Sequence, residues 1–214
     1  QQDLRDKAPI TYQTFLDKGI DLSQDAIEIA PLVQSLNGGI KIDENAATTV
    51  PGLFAAGEAS GGVHGADRPG GNNLADSQVF GYRGGQAAAR FAVERSGDLI
   101  PAESGQILSI DSGTDDKLED IYSAIDAALM VVRNKKHLDL LLNRIGSYRD
   151  SHDIRDVATD NVLLVAEMIA KSALLREESR GIHYREDFPE TNKSYNRATL
   201  VRRDDEGDME AIFE

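Results

Sequence analysis

The sequence predicts an α+β chain in two unlike parts: an α/β segment built of a β-hairpin, a parallel strand and a helix, followed by a three-helix bundle. Three observations carry this expectation. Short apolar stretches near residues 40 and 55 run into a glycine-rich turn and then a long helical pattern. Beyond residue 115, apolar residues recur in three stretches at spacings of three and four, the mark of helices with one buried face. Between them lies the polar run "ESGQILSIDSGTDD", where the composition changes.

The elements follow in chain order. "ITYQTFLDKGIDL" reads as a short helix stopped by Gly19, and "AIEIAP" as a short strand closed by Pro31. "GIKID" alternates as a strand, "ENAATTVPG" turns back, and "LFAAGEA" is an apolar strand of the kind buried in an open sheet. A helix is expected from Pro69 or Gly70 to Val93, with small residues on the face that must approach the sheet closely. In the second part Leu118, Ile121, Ile125, Leu129 and Val132 give one amphipathic helix. Leu138, Leu141, Leu142 and Ile145 give another, ended by Gly146, and Val162, Val165, Ile169 and Ala173 a third. The tail "SYNRATLVRRDDEGDMEAIFE" alternates enough for a strand or two. The expected divisions are a connector over 1–30, the α/β segment over 31–100, a linker over 101–114, the helical bundle over 115–182 and a tail over 183–214.

Composition narrows the chemistry. The formal net charge of -14 argues against nucleic acid or an anionic membrane as the main partner, so an anionic ligand needs local positive groups. The absence of cysteine excludes disulfides, cysteine-ligated clusters and thiol catalysis within this chain. The four histidines, at 64, 137, 152 and 183, show no metal-ligand spacing, and no metal is expected. No signal peptide and no apolar run near the length of a membrane span is visible, so the simplest reading is a cytosolic protein.

The stretch "GGVHGADRPGGNNL", residues 61–74, places five glycines around one histidine and one arginine. Glycine costs conformational entropy on folding, so such a run is kept where the backbone turns with positive φ or lies against something that tolerates no Cβ. Glu58, at the end of the expected strand "GLFAAGEA", is placed to accept hydrogen bonds from ligand hydroxyls. Arg68 can grip a carboxylate by two parallel hydrogen bonds. Free amides at the helix start that follows, with the positive end of its dipole, would stabilise an anion or an electron-rich carbonyl. Glu58 alone reads as a solvated strand end, Arg68 alone as a surface cation and His64 as a loop histidine. Their joint order, strand, glutamate, glycine-rich turn, arginine, helix, shifts the balance towards a ligand site.

The segment "PGLFAAGEASGGVHGADRPGGNNLADSQVFGYRGG" resembles the flavin-binding C-terminal segment of the fumarate reductase and succinate dehydrogenase flavoprotein family, which includes L-aspartate oxidase. "NGGIKID" is similar to the stretch preceding it, and "SRGIHYREDFPE" to the motif that ends the family's helical domain. The resemblance implies an FAD-dependent oxidoreductase in which FAD accepts or donates a hydride at N5. It implies that Glu58 binds the flavin ribityl chain, that Asn73 and Leu74 lie at the pyrimidine edge of the ring, and that Gly38 and Gly39 belong to the cofactor site. By the same resemblance Arg68 is the catalytic and substrate-binding arginine, with Gln34 and His64 beside the substrate. Arg180, His183 and Arg185 match the terminal motif, whose implied role is mainly domain packing.

Two departures stand out. Counting from Gly38-Gly39, Gln34 occupies the place of a substrate-binding histidine; it can donate to a carboxylate but brings no positive charge. The chain also has no Gly-x-Gly-x-x-Gly after a strand, the feature that holds the FAD pyrophosphate in the family. The chain is therefore expected to be the C-terminal portion of such an enzyme, inactive alone, with residues 1–30 the end of a capping domain. Its expected partners are the missing N-terminal FAD and capping portion, a small carboxylate substrate and an iron–sulfur electron-transfer subunit that could attach it peripherally to a membrane. The alternative is a non-catalytic module that docks an electron-transfer partner.

Overall fold

The computed structural model describes residues 2–30, 33–95, 116–151 and 157–214. The expected linker over 101–114 lies outside the described residues. The chain divides into two compact units, Gln1–Leu32 and Val33–Glu214.

In the first unit, helices α1 (Gln2–Lys7) and α2 (Pro9–Leu16) are separated by one residue, and Pro9 takes the first position of α2, where its missing N–H costs nothing. Gly19, at φ +81, turns the chain after α2. Tyr12 is buried, lies under the Arg5 guanidinium and donates its hydroxyl to Asp21 Oδ1 at 2.8 Å. Hydrogen bonds from the Ser23 hydroxyl and amide, then from Tyr12, hold the Asp21 carboxyl at about 2. The expected strand over "AIEIAP" does not form: residues 26–30 have no regular structure and no partner strand among the described residues, and Pro31 lies outside them.

The second unit begins with less strand than the sequence suggests. Of "GIKID", only Ile40–Lys41 pairs, as β1, and its partner is β2 (Ser60–Gly61), parallel to it. "LFAAGEA" is not a strand. Its first residues close a tight hairpin through the bridge between Ala47 and Phe54, around a Val50-Pro51-Gly52-Leu53 turn with Gly52 at φ +86. The rest coils into a 3-10 turn over Gly57–Ala59. Glu58 therefore sits in a turn that leads into β2 and not at a strand's carboxyl end. Helix α3 runs over Asn72–Glu94 and not from Pro69: Pro69 lies in a preceding turn and its carbonyl accepts from the Asn72 amide. Small residues do face the hairpin, with a Cβ added at Gly84 only 3.0 Å from Ala46 Cβ.

Helices α4 (Asp116–Leu129), α5 (Lys135–Ser151) and α6 (Val157–Leu175) share one apolar core. Ile121, Ala124 and Ala128 from α4, Leu138, Leu141 and Ile145 from α5, and Leu163, Ala166, Ala170 and Ala173 from α6 are enclosed in it, and the alanines let the helices approach closely. Gly146 does not end α5, which continues for more than a turn beyond it. Val132 is not helical; it begins β3 (Val132–Arg133), which pairs in parallel with β4 (Tyr184–Arg185). Asn134, between β3 and α5, accepts from the His137 amide at 2.8 Å, and Asp187 accepts from the Lys135 amide at 2.9 Å, so α5 is capped twice. The tail forms an antiparallel hairpin of β5 (Thr199–Arg203) and β6 (Met209–Phe213).

Candidate functional site

Two main chains in contact form the floor of the site. A Cβ added at Gly39 would lie 2.6 Å from the Ser60 carbonyl carbon, and one added at Gly61 would lie 2.5 Å from the Gly39 nitrogen, so β1 and β2 meet as bare backbone. Gly38, by contrast, has nothing within 4 Å of such a Cβ. Of the two glycines expected at a cofactor, one therefore has a steric reason to be glycine and the other has none in the fold. Gly57, at φ +66, lies against Ser77 of α3, and the Ser60 hydroxyl donates back to its carbonyl at 2.8 Å. The exposed Glu58 carboxylate on this turn accepts from the Leu36 amide at 3.2 Å.

The glycine-rich loop continues from β2. Gly62, Gly65 and Gly71 take φ of +97, +63 and +87, which explains much of its glycine content as turning requirement. Arg68 is half-buried, and its Nη2 donates to the Ser35 hydroxyl at 3.1 Å. That contact brings the segment holding Gln34, itself exposed, to the arginine. Arg68 is also the sole fixed positive charge in residues 42–82. His64 is not at a free loop tip: its Nε2 lies 3.3 Å from Asp76 Oδ2, and Asp76 Oδ1 is buried with no hydrogen-bond partner among the described residues. Asp76, on α3, escapes a reading of the sequence, where one carboxylate in a helix carries no signal. Asn73 and Leu74 are exposed in the first turn of α3, which has no side-chain cap because Gly71 stands at its N-cap.

A second polar cluster surrounds the terminal motif. Glu178 is fully enclosed. Burial opposes its charge, yet hydrogen bonds from Arg180 and Arg176 and from the Asn192 amide hold its carboxyl at about 2. Arg185, 1% exposed, donates to both oxygens of Asp187 at 2.7 Å, to the Ala173 carbonyl at 2.6 Å, and lies over the Phe188 ring. Those bonds set the Asp187 carboxyl at about 2, against the opposing effect of burial. His183 has Nε2 at 3.2 Å from the Arg176 carbonyl and Nδ1 at 3.1 Å from Arg133 Nη1, so the proton is assigned to Nε2 and the ring is neutral. Burial and the neighbouring guanidinium groups lower its tendency to protonate. Among the described residues no group of three or more His, Asp or Glu could hold a metal ion, and no helix is long and apolar enough to cross a membrane.

The matches to known proteins fall on these same segments. Residues 6–74 match the FAD binding domain model and residues 119–212 the fumarate reductase flavoprotein C-terminal model. A fumarate reductase (CoM/CoB) subunit of Methanothermobacter marburgensis is 37% identical, over 94% of this chain and 41% of its own length. An L-aspartate oxidase of Pseudomonas aeruginosa is 32% identical over 85% of this chain and 36% of its own. The Mycobacterium smegmatis Sdh1 structure in complex with UQ1 superimposes with a TM-score of 0.74 at 29% identity, covering all of this chain and 40% of that one. The chain thus spans about two fifths of the length of the proteins it matches. With both models matched and the glycine-rich arginine loop inside the first of them, the chain belongs to the fumarate reductase, succinate dehydrogenase and L-aspartate oxidase flavoprotein family.

Proposed function

We propose that this chain is the C-terminal portion of an FAD-dependent oxidoreductase that acts on a small carboxylate, and that it supplies flavin contacts and the substrate arginine. The observation that carries the reading is Arg68: a lone guanidinium on a glycine-rich loop, tied to Ser35 and separated by Pro69-Gly70-Gly71 from a helix start with no side-chain cap. The residues fit a flavin. Glu58 is exposed and accepts hydrogen bonds, Gly38 leaves open backbone, and the first turn of α3 has no side-chain cap, its Asn72 and Leu74 amides turning back to the Pro69 and Gly71 carbonyls so that it presents the positive end of the helix dipole. Bound FAD supplies a hydride acceptor or donor at N5.

In this reading Glu58 takes hydrogen bonds from the ribityl hydroxyls. The helix start at Asn73 and Leu74 lies at the pyrimidine edge, where the positive end of its dipole stabilises negative charge. Arg68 holds a substrate carboxylate in a bidentate grip, and Gln34, on the segment that Arg68 reaches through Ser35, donates to the substrate without adding charge. His64 orients the loop from its contact with Asp76. Helices α4, α5 and α6 form the family's bundle domain. An iron–sulfur electron-transfer subunit, with peripheral membrane attachment through it, belongs to the same reading.

The test is Arg68→Lys in the complete flavoprotein. Flavin content and thermal stability should stay near wild type while turnover falls steeply and KM rises, because an ammonium cannot reproduce the two parallel bonds. Wild-type kinetics would make Arg68 a surface cation, and a variant that does not fold would make it structural.

A further inference from the structure

We infer that Gly181 and Ile182, in the terminal motif, are positioning residues that aim Arg68, an inference that rests on Arg68 being the carboxylate-binding arginine. The two segments meet main chain to main chain. The Ile182 amide donates to the Ala66 carbonyl at 3.0 Å. Gly181, at φ +56, packs so closely that an added Cβ would lie 2.5 Å from the same carbonyl oxygen and 3.0 Å from Asp67 Cβ. Both the conformation and the space exclude a side chain there, and the obstacle is backbone, which cannot swing aside.

From Ala66 the connection to the guanidinium is short and stiff. Asp67 Oδ1 accepts from the Arg68 amide at 2.7 Å, tying the Asp67 side chain to the backbone of the arginine. Pro69 narrows the backbone freedom of Arg68 from the other side. Ser35 catches the far end of the side chain. The anchoring side is stiffer still. Arg180 and His183 exchange backbone hydrogen bonds at 2.8 and 3.0 Å around Gly181, Arg180 is held by the enclosed Glu178, and His183 is wedged between Arg133 and the Arg176 carbonyl. The polar cluster that looks like packing of a distant motif therefore ends in a hydrogen bond two residues from the arginine. A shift of the loop at Ala66 carries directly to the guanidinium, and a misplacement of about 1 Å can cost on the order of 100-fold in rate.

The experiment is a double-mutant cycle in the complete, FAD-loaded protein with Gly181→Ala and Arg68→Lys. Gly181→Ala alone should cut kcat/KM by about tenfold or more with flavin content unchanged. In the Arg68→Lys background it should cut kcat/KM by less than about threefold, since its effect runs through the bidentate arginine. Wild-type kinetics for Gly181→Ala, or full additivity of the two losses, overturns the inference while leaving the role of Arg68 intact. Wild-type kinetics for Arg68→Lys overturns that role and the inference together. Hydrogen exchange on the wild-type protein gives a reading independent of how the variants fold. The Ile182 amide should be protected and should open together with the loop over 61–70; exchange as fast as in an unstructured peptide overturns the inference.

Discussion

Arg185 is a full positive charge inside the core, tolerated because Asp187 meets it with two parallel bonds and the Ala173 carbonyl takes a third N–H. Removing one partner of such a pair leaves the other charge buried and alone, so Asp187→Asn should cost about 3 to 5 kcal/mol in urea unfolding. The cluster also fixes how stability depends on pH. His183 resists protonation when folded, so below its ordinary value of 6.5 the unfolded chain takes up a proton that the folded chain refuses, and stability falls. Glu178 and Asp187 are held at about 2, so what they contribute is present above their ordinary values of 4.5 and 3.8 and is lost as pH drops towards 2. Melting temperatures should decline in two stages on acidification, and His183→Gln should remove the first. At the proposed flavin contact, Glu58→Ala in the complete protein should weaken FAD binding about tenfold or more, from the loss of hydrogen bonds to a charged acceptor of roughly 1.5 to 3 kcal/mol. Fluorescence titration of the apoprotein measures it.

Helices are the most legible elements, because their buried stripes are long. Ile121 to Leu129 and Leu138 to Ile145 fill the faces expected of them, whereas α6 buries Leu163, Ala166, Ala170 and Ala173 and leaves Val165 of its expected stripe exposed, because close helix packing selects the alanine face over the bulkier one. Strands are the least legible. β1 and β2 have two residues each, too few for alternation to register, and "LFAAGEA" is apolar for the sake of a hairpin and a 3-10 turn. Gly146 misleads for a related reason: glycine after a leucine-rich run reads as a stop, but α5 continues through it with the residue exposed and nothing near its missing Cβ. That position should accept a methyl freely. Gly146→Ala should stabilise the fold by about 0.5 to 1 kcal/mol in urea unfolding, whereas Leu141→Ala on the same helix should cost about 2 to 5 kcal/mol.

For the chain taken whole, Arg68, His64 and Glu58 can be found in the sequence because they lie within a dozen residues of one another in a distinctive order. Their partners cannot. Ser35 is 33 residues from Arg68, Asp76 lies on the next helix, and Gly181 and Ile182 arrive from beyond helices α3, α4, α5 and α6. Such pairings are set by packing, and one sequence carries no local trace of them. The isolated chain should bind FAD weakly or not at all, since it has the proposed ring and ribityl contacts but no pyrophosphate-binding fingerprint; fluorescence quenching tests this, and stoichiometric submicromolar binding would contradict it. The contact of Gly39 with Gly61 constrains how this protein can evolve. Where two side chains touch, a gain in size on one can be matched by a loss on the other, and the pair can drift through compensated exchanges. Here Gly39 presses on the main chain of Ala59 and Ser60, and Gly61 on that of Gly38 and Gly39, and a main chain has no smaller version to offer. The two positions should be invariant together and show no covariation, so the closest contact at the floor of the site would be invisible to any method that infers proximity from correlated change.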